Sequence, residues 1–226
     1  MKRLEVLDVC RSFCVMIMVL YHALYDLILL EQLPPTVLDN TFMDVLAYGT
    51  AGAFVLLGGV TARFCRDVLR RGFRLFCLGL AVSVIAALAG QPIAFGVLQL
   101  FGLCMMGYGL LRRRLDKAGK WLPLSCAVLF VLSALLTERI HVPVPWLYPL
   151  GLRTESFYSA DYFPLLPWAF LFLMGTWLGG WVINARQRRC FTRRYPRWLC
   201  FCGRNSLRIY LFHQPLLFTL FFLLFR

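Results

Sequence analysis

Seven long apolar stretches constrain this chain more than any other feature. They run over approximately 12–30, 42–62, 73–89, 93–111, 121–137, 161–183 and 204–225. Each is near the ~20 residues that a helix needs to cross a bilayer; the third and fifth are the shortest, at about 17. With 60% hydrophobic residues, 15% charged residues and a mean hydropathy of +0.70, the composition is that of a membrane protein. The expected fold is all-α: a polytopic membrane helix bundle of about seven transmembrane helices, a single domain over 1–226. There is no internal repeat and no low-complexity tract. The first stretch does not read as a signal peptide, because it is too long, holds ionisable groups and lacks a small-residue cleavage site.

The formal net charge of +13 is placed for topology, not for nucleic acid. Lys2 and Arg3 precede the first stretch. Arg63, Arg66, Arg70, Arg71 and Arg74 follow the second. Arg112, Arg113, Arg114, Lys117 and Lys120 follow the fourth. Arg186, Arg188, Arg189, Arg193, Arg194 and Arg197 follow the sixth. Eighteen of the 24 basic residues thus lie on one side, while the alternate connections hold only Arg139 and Arg153. By the positive-inside rule the N-terminus is expected inside and the C-terminus outside. These loops would contact membrane lipid headgroups, and a few could hold cofactor phosphates. All nine cysteines fall in inner halves of spans or inner loops, away from an oxidising face. No His or carboxylate stands at zinc-site spacing beside Cys10 and Cys14 or beside Cys200 and Cys202, so no metal is expected.

Polar residues at membrane depth carry the chemistry. Arg11, His22 and Asp26 share the first stretch, where a charge near the centre costs roughly 2.5–3.5 kcal/mol on the lenient insertion scale. His22 is expected roughly 16 Å above Arg11. Asp26 follows at i+4 on the same face, where a carboxylate could orient the imidazole as a general base. A purely structural interhelix network is the plainer alternative. The last stretch opens with Gly203-Arg204-Asn205-Ser206 and places His213-Gln214-Pro215 about ten residues further up. Its helix start is a ready anion site, although Arg204 could simply snorkel to headgroups and Pro215 could simply kink the helix. Before the sixth span stand Tyr158, Asp161 and Trp168. Aromatics beside a carboxylate suit a carbohydrate, and equally an interface belt. Gln99 reads as a helix–helix hydrogen bond, and the glycines at 49, 52, 58, 59, 102, 107 and 109 as close-packing positions.

Cations with a helix N-terminus on the inner side, imidazoles midway and carboxylates with aromatics outside make a coherent layout. It suits an enzyme that takes an anionic activated donor from the cytoplasm and passes an acyl group to an outside acceptor. A proton-coupled transporter or flippase would also bury His and Asp, but more often shows two related halves. A non-catalytic membrane subunit with structural polar residues is the third reading.

Several segments carry a family resemblance. They are Asp8-x2-Arg11-x10-His22, Phe54-Val-Leu-Leu-Gly58-Gly59, Phe95-Gly-Val-Leu-Gln99, Tyr158–Trp168 and Gly203-Arg-Asn-Ser-Leu-x2-Tyr210-x2-His213-Gln-Pro215. Over nearly the whole chain they resemble the catalytic domain of the heparan-α-glucosaminide N-acetyltransferase family in its compact bacterial form; the first motif is shared with the larger acyltransferase-3 group. The resemblance implies acetyl-CoA as donor and an extracytoplasmic sugar or glycan as acceptor, an amino sugar above all, acetylated on an amine or hydroxyl. It implies a multi-pass enzyme of the bacterial cytoplasmic (inner) membrane. Arg11, Arg204, Asn205 and Ser206 would hold the donor. His22 would be the base or acyl-accepting residue, and His213 would line the transfer site. Asp26, Asp161, Tyr158 and Trp168 would face the acceptor. Ser12 stands where Gly commonly follows the Arg, Gln99 where relatives often have His, and no His occupies the loop after the first span. The choice between His22 and His213 therefore stays open, and the small size leaves room for a homodimer.

Overall fold

A computed structural model describes residues 4–184 and 194–225. Arg186, Arg188, Arg189, Cys190 and Arg193, counted above with the inner connections, lie outside the described residues, as do Lys2, Arg3 and Arg226. The architecture is helical: α1 (Glu5–Leu29), α2 (Thr41–Ala62), α3 (Val68–Leu88), α4 (Val97–Lys117), α5 (Trp121–Arg139), α6 (Leu165–Asn184), α7 (Arg197–Arg204) and α8 (Ser206–Phe225). Short 3-10 turns cover Pro35–Val37 and Pro145–Leu150. No strand is present among the described residues, only isolated bridges pairing Phe95 with Tyr162 and His141 with Arg153.

Among the described residues, six helices are long and apolar enough to cross a membrane: α1, α2, α3, α5, α6 and α8. The protein is a multi-pass helical membrane protein. The fourth expected span corresponds to α4, which is of similar length but ends in Arg112, Arg113, Arg114, Asp116 and Lys117. Several helix boundaries depart from the hydropathy reading. The first helix begins at Glu5 instead of 12, which brings Asp8 into it, and the third begins at Val68 instead of 73. Arg70, Arg71 and Arg74 therefore lie on α3, since Arg is a good helix former whose long stem lets its head reach polar surroundings. The sixth helix begins at Leu165 instead of 161, because residues 160–163 instead bond to the segment before α4: Ala160 N–H to Pro92 O at 2.9 Å and Phe163 N–H to Phe95 O at 2.8 Å.

The chain forms two compact units, residues 1–57 with 184–226, and residues 58–183. In the first, α1 packs on α7 and α8. Val9, Leu199 and Cys200 form a buried apolar cluster with Met16 and Tyr195 against it. Asn40 caps α2, its Oδ1 accepting the Met43 N–H at 3.0 Å.

In the second unit α3 packs on α4. Gly102 permits the contact: a Cβ there would sit 2.7 Å from the Phe76 backbone nitrogen. Gly49 and Gly107 have open space around them, so the sequence overcounted packing glycines. Gln99 makes the interhelix bond expected of it, donating to Ser83 Oγ at 2.9 Å. At the cationic end of α4, Arg63 donates to the Tyr108 hydroxyl at 3.1 Å and pairs with Asp116.

Candidate active site

The N-terminal end of α1 meets α7 through Asp8. Its side chain is buried, with Oδ1 3.4 Å from Arg11 Nη1 and Oδ2 3.4 Å from Arg204 Nε. The two arginines singled out in the sequence are thus brought to one carboxylate. The approach is tight because residue 203 is glycine: a Cβ there would collide with the Asp8 carbonyl, a backbone atom that cannot move aside. Ser12, buried one residue beyond Arg11, donates to Leu199 O and ties the same two helices. Glu5 accepts the Tyr195 N–H at 3.0 Å.

Arg204 ends α7, Asn205 is a one-residue break and Ser206 begins α8. The expected single helix start at 204 is thus a junction, with Asn205 N–H bonding back to Phe201 O and Cys202 O. Asn205 O accepts the Ile209 N–H at 2.9 Å. The amides of Ser206, Leu207 and Arg208 precede that first bond, at the positive end of the helix. Asn205 Oδ1 lies 3.5 Å from Arg208 Nη1. Two guanidiniums therefore meet at one acidic residue, with a helix start and a third, Arg208, next along the chain, an arrangement that suits a polyanion such as the phosphates of a nucleotide-bearing donor. Arg208 and Asp8 went unassigned in the sequence reading, although Asp8-x2-Arg11 already put acid and base one helical turn apart.

About 21 Å along α1 from Asp8, His22 faces His213 of α8, with ring centroids 4.8 Å apart and planes at 81°. His22 Nδ1 lies 2.9 Å from Met18 O, and His213 Nδ1 lies 2.7 Å from Tyr210 O. A carbonyl only accepts, so each Nδ1 carries the hydrogen. Each Nε2 is then the basic nitrogen. The sequence expected Asp26 to orient His22; the carbonyl of Met18 does so instead, because a helical imidazole can reach back one turn to its own backbone.

Asp26 has another partner. Fully buried, it accepts at Oδ1 from Gln214 Nε2 of α8 at 2.7 Å. Asp26 Oδ2, Gln214 Oε1 and His213 Nε2 are buried with no hydrogen-bond partner among the described residues. Two polar contacts thus link α1 to α8 in the first unit, His22 with His213 and, four residues on along α1, Asp26 with Gln214.

Asp161, Tyr158 and Trp168 belong to the second unit. Asp161 lies against Gly96 at the start of α4, so close that a Cβ on Gly96 would stand 3.1 Å from Oδ2. Ser159 Oγ receives the Ala94 N–H at 3.0 Å and donates to Asp161 O at 2.6 Å. Tyr158 is exposed, whereas Trp168 is buried between Phe130 and Phe163 at centroid distances of 6.2 and 5.3 Å. Of the two aromatics, only Tyr158 therefore offers a ring face to an acceptor. Next to Asp161, Tyr162 donates to Tyr148 O at 2.6 Å, and burial pushes its phenol up to about 12 despite the Arg153 guanidinium 5.8 Å from its ring centroid.

Residues 3–215 match the family described as heparan-alpha-glucosaminide N-acetyltransferase, catalytic. The chain belongs to that family. No curated protein and no solved structure matches it. Membership in the heparan-alpha-glucosaminide N-acetyltransferase family implies a transmembrane acetyltransferase, and the match crosses both compact units. Among the described residues, no group of three His, Cys, Asp or Glu side chains could hold a metal ion. The imidazole pair and the arginines around Asp8 are the features of the first unit that fit acetyl transfer from a phosphate-bearing donor.

Proposed function

We propose that this protein moves an acetyl group from cytoplasmic acetyl-CoA to an amine or hydroxyl of an extracytoplasmic sugar or glycan, an amino sugar above all. The observation that supports it most is the His22–His213 pair, in which both Nδ1 atoms are committed to backbone carbonyls and both Nε2 atoms remain as bases. His22 Nε2 takes the proton of the acceptor as the acceptor attacks the thioester carbonyl, and His213 positions the reacting groups. Such a base is worth about 10²–10⁴-fold in rate. Arg11 and Arg204, with Asn205 and Ser206 at the helix junction, hold the donor phosphates. Asp26 lies on the acceptor side of the imidazoles. In the second unit, Asp161 and the exposed Tyr158 are the residues whose chemistry suits a sugar, while Trp168 is packed against Phe130 and Phe163.

The same reading places 1–226 as a single domain with seven spans in a bacterial cytoplasmic membrane, N-terminus inside and C-terminus outside. The side-alternating basic residues support that topology. A homodimer would enlarge an otherwise small catalytic domain. The test is acetyl transfer from labelled acetyl-CoA by the purified full chain to a panel of amino and neutral sugars. Acetylated product supports the reading. A folded protein that consumes no acetyl-CoA with any acceptor overturns it in favour of a transporter or a structural subunit.

A further inference from the structure

On one side α1 packs on α7 and α8; on another it faces α2 across a groove of about 320 Å³. Phe13 and Ile17 line the groove from α1, and Phe42, Val45, Gly49 and Ala53 from α2. No lining residue is charged. Glycine at 49 keeps the α2 wall hollow, with nothing within 4 Å of where a Cβ would stand. Phe13, Phe42 and Val45 are exposed, so the groove opens sideways from the helix pair. Both walls belong to helices long and apolar enough to cross a membrane, where the surrounding medium is hydrocarbon. Water would not find the two to four polar partners it needs to fill such a space. From 42 to 53 the α2 wall rises about 16 Å, close to half of the ~30 Å hydrocarbon core. The groove therefore has the length of an alkyl chain in one leaflet.

The end nearest the α1–α2 connection is polar. Tyr21 follows Ile17 at i+4 and continues the groove face of α1. It lies within electrostatic reach of Asp44 in the first turn of α2, and of Tyr48 and Tyr25. Asp44, Tyr25 and Tyr48 are exposed. A carboxylate accepts from hydroxyls, and phenol rings offer flat apolar faces, which together complement a sugar ring. Tyr21 also meets His22 edge-on, with ring centroids 6.1 Å apart.

An apolar channel with one polar end fits an amphiphile. We propose that the α1–α2 groove holds the hydrocarbon chain of the acceptor, so that the acceptor is a lipid-linked sugar with its head at Tyr21, Tyr25, Asp44 and Tyr48, beside His22. This inference deepens the acetyltransferase reading and rests on it for the catalytic meaning of the head's position. A chain seated in the groove fixes the depth of the sugar and confines it near the imidazole, which lowers the entropic cost of bringing it to the thioester.

Chain binding is tested without turnover. The purified full chain in lipid nanodiscs is photolabelled with a dodecyl glucosaminide carrying a diazirine in its chain, and the labelled residues are mapped by mass spectrometry. Label should concentrate on the groove residues of α1 and α2, and unlabelled dodecyl glucosaminide should displace it at least about tenfold better than methyl glucosaminide or dodecyl maltoside. Gly49→Leu fills the groove. It should cut the labelling and raise the KM for acetylation of dodecyl glucosaminide by about tenfold, whereas Gly107→Leu, which enters open space on α4, should change neither. The wild-type map needs no variant and decides the matter even if Gly49→Leu does not fold. Label spread over the lipid-facing sides of other helices overturns the proposal. So does displacement by dodecyl maltoside as readily as by dodecyl glucosaminide, which would make the groove an ordinary lipid contact. Acetyl transfer measured in parallel separates the two ideas. Transfer with the same KM for methyl and dodecyl glucosaminide sinks the groove and leaves the acetyltransferase. Selective groove labelling without transfer to any acceptor sinks the acetyltransferase and leaves the groove.

Discussion

His22 and His213 meet edge to face, 4.8 Å between ring centroids, and each imidazole is held through Nδ1 by a carbonyl of its own helix. Neither ring depends on a carboxylate for its tautomer. The consequence is that two bases are presented side by side on rigid helices, α1 and α8, and that removing one leaves the other in its correct tautomer.

His22 is expected to carry the proton transfer. The His22→Ala variant should lose about 10²–10⁴-fold in turnover while keeping CoA affinity. His213→Ala should lose less, mainly through positioning. Acetyl-transfer assays on variants shown to be monodisperse in detergent decide the order. A fully active His22→Ala beside a dead His213→Ala reverses the assignment, and two fully active variants dismiss the pair from the chemistry.

Gly203→Ala tests the junction between α1 and α7. The added methyl meets the Asp8 carbonyl, and backbone cannot rotate away as a side chain can. Overpacking of this kind costs about 1–3 kcal/mol. Thermal unfolding in detergent should show a lower midpoint for Gly203→Ala and little change for Gly107→Ala, where the space is open. Equal midpoints would mean that α7 yields to the methyl.

Much of this site was legible in the sequence because its residues break a strong local rule. Arg11, His22, Asp26 and His213 stand out against apolar neighbours, and spacing along α1 sets their order by rise per residue alone. What the sequence concealed is pairing across helices. Whether Asp26 turns to His22, four residues away, or to Gln214 depends on how α8 lies beside α1. Periodicity says nothing of that. Asp8 was equally hidden: an acidic residue near a helix start is ordinary, and only packing shows that it lies between Arg11 and Arg204. Trp168 illustrates the opposite error. Its place beside Asp161 in sequence suggested a sugar platform, while the fold packs its ring against Phe130 and Phe163. Helix starts were misjudged where cations or a carboxylate opened the helix, as at Val68 and Glu5, since hydropathy marks the apolar part of a helix and not its ends.

Topology is open to direct test through the connection between α1 and α2. By the positive-inside rule, the side-alternating basic residues predict that position 35 is outside. In a Cys-depleted background, Pro35→Cys should react with an impermeant thiol reagent added to intact cells. Labelling only after the membrane is opened would invert the protein.

Tyr162 gives a pH signature outside the membrane-spanning helices. Its phenol donates to Tyr148 O, and burial pushes its pKa up to about 12 from 10.0. Unfolded chains would lose this proton first as pH rises, so the neutral form stabilises the fold fully below pH 10. That contribution disappears as pH climbs from about 10 to about 12. A spectroscopic phenolate titration should therefore contain a late phase that Tyr162→Phe removes. A Tyr162→Phe curve of unchanged shape would show that the phenol titrates with the others.

Arg204 is the last and most discriminating test of the donor site. Its guanidinium is half exposed while Asp8 beside it is buried, so it can turn to an arriving phosphate without leaving the carboxylate bare, because Arg11 remains on Oδ1. Arg204→Ala should raise the CoA dissociation constant by about one to two decades, the scale of a charge-assisted contact of roughly 1.5–3 kcal/mol. Asp8→Asn should act differently. It removes the negative charge that holds both arginines in place and opposes the donor phosphates. CoA affinity should then fall less than in Arg204→Ala, while thermal stability falls more, because two guanidiniums lose their buried counter-ion. Titration of CoA into the folded variants, with unfolding midpoints alongside, checks both. Unchanged CoA affinity in a folded Arg204→Ala protein would remove Arg204 from the donor site and leave it as a structural partner of Asp8.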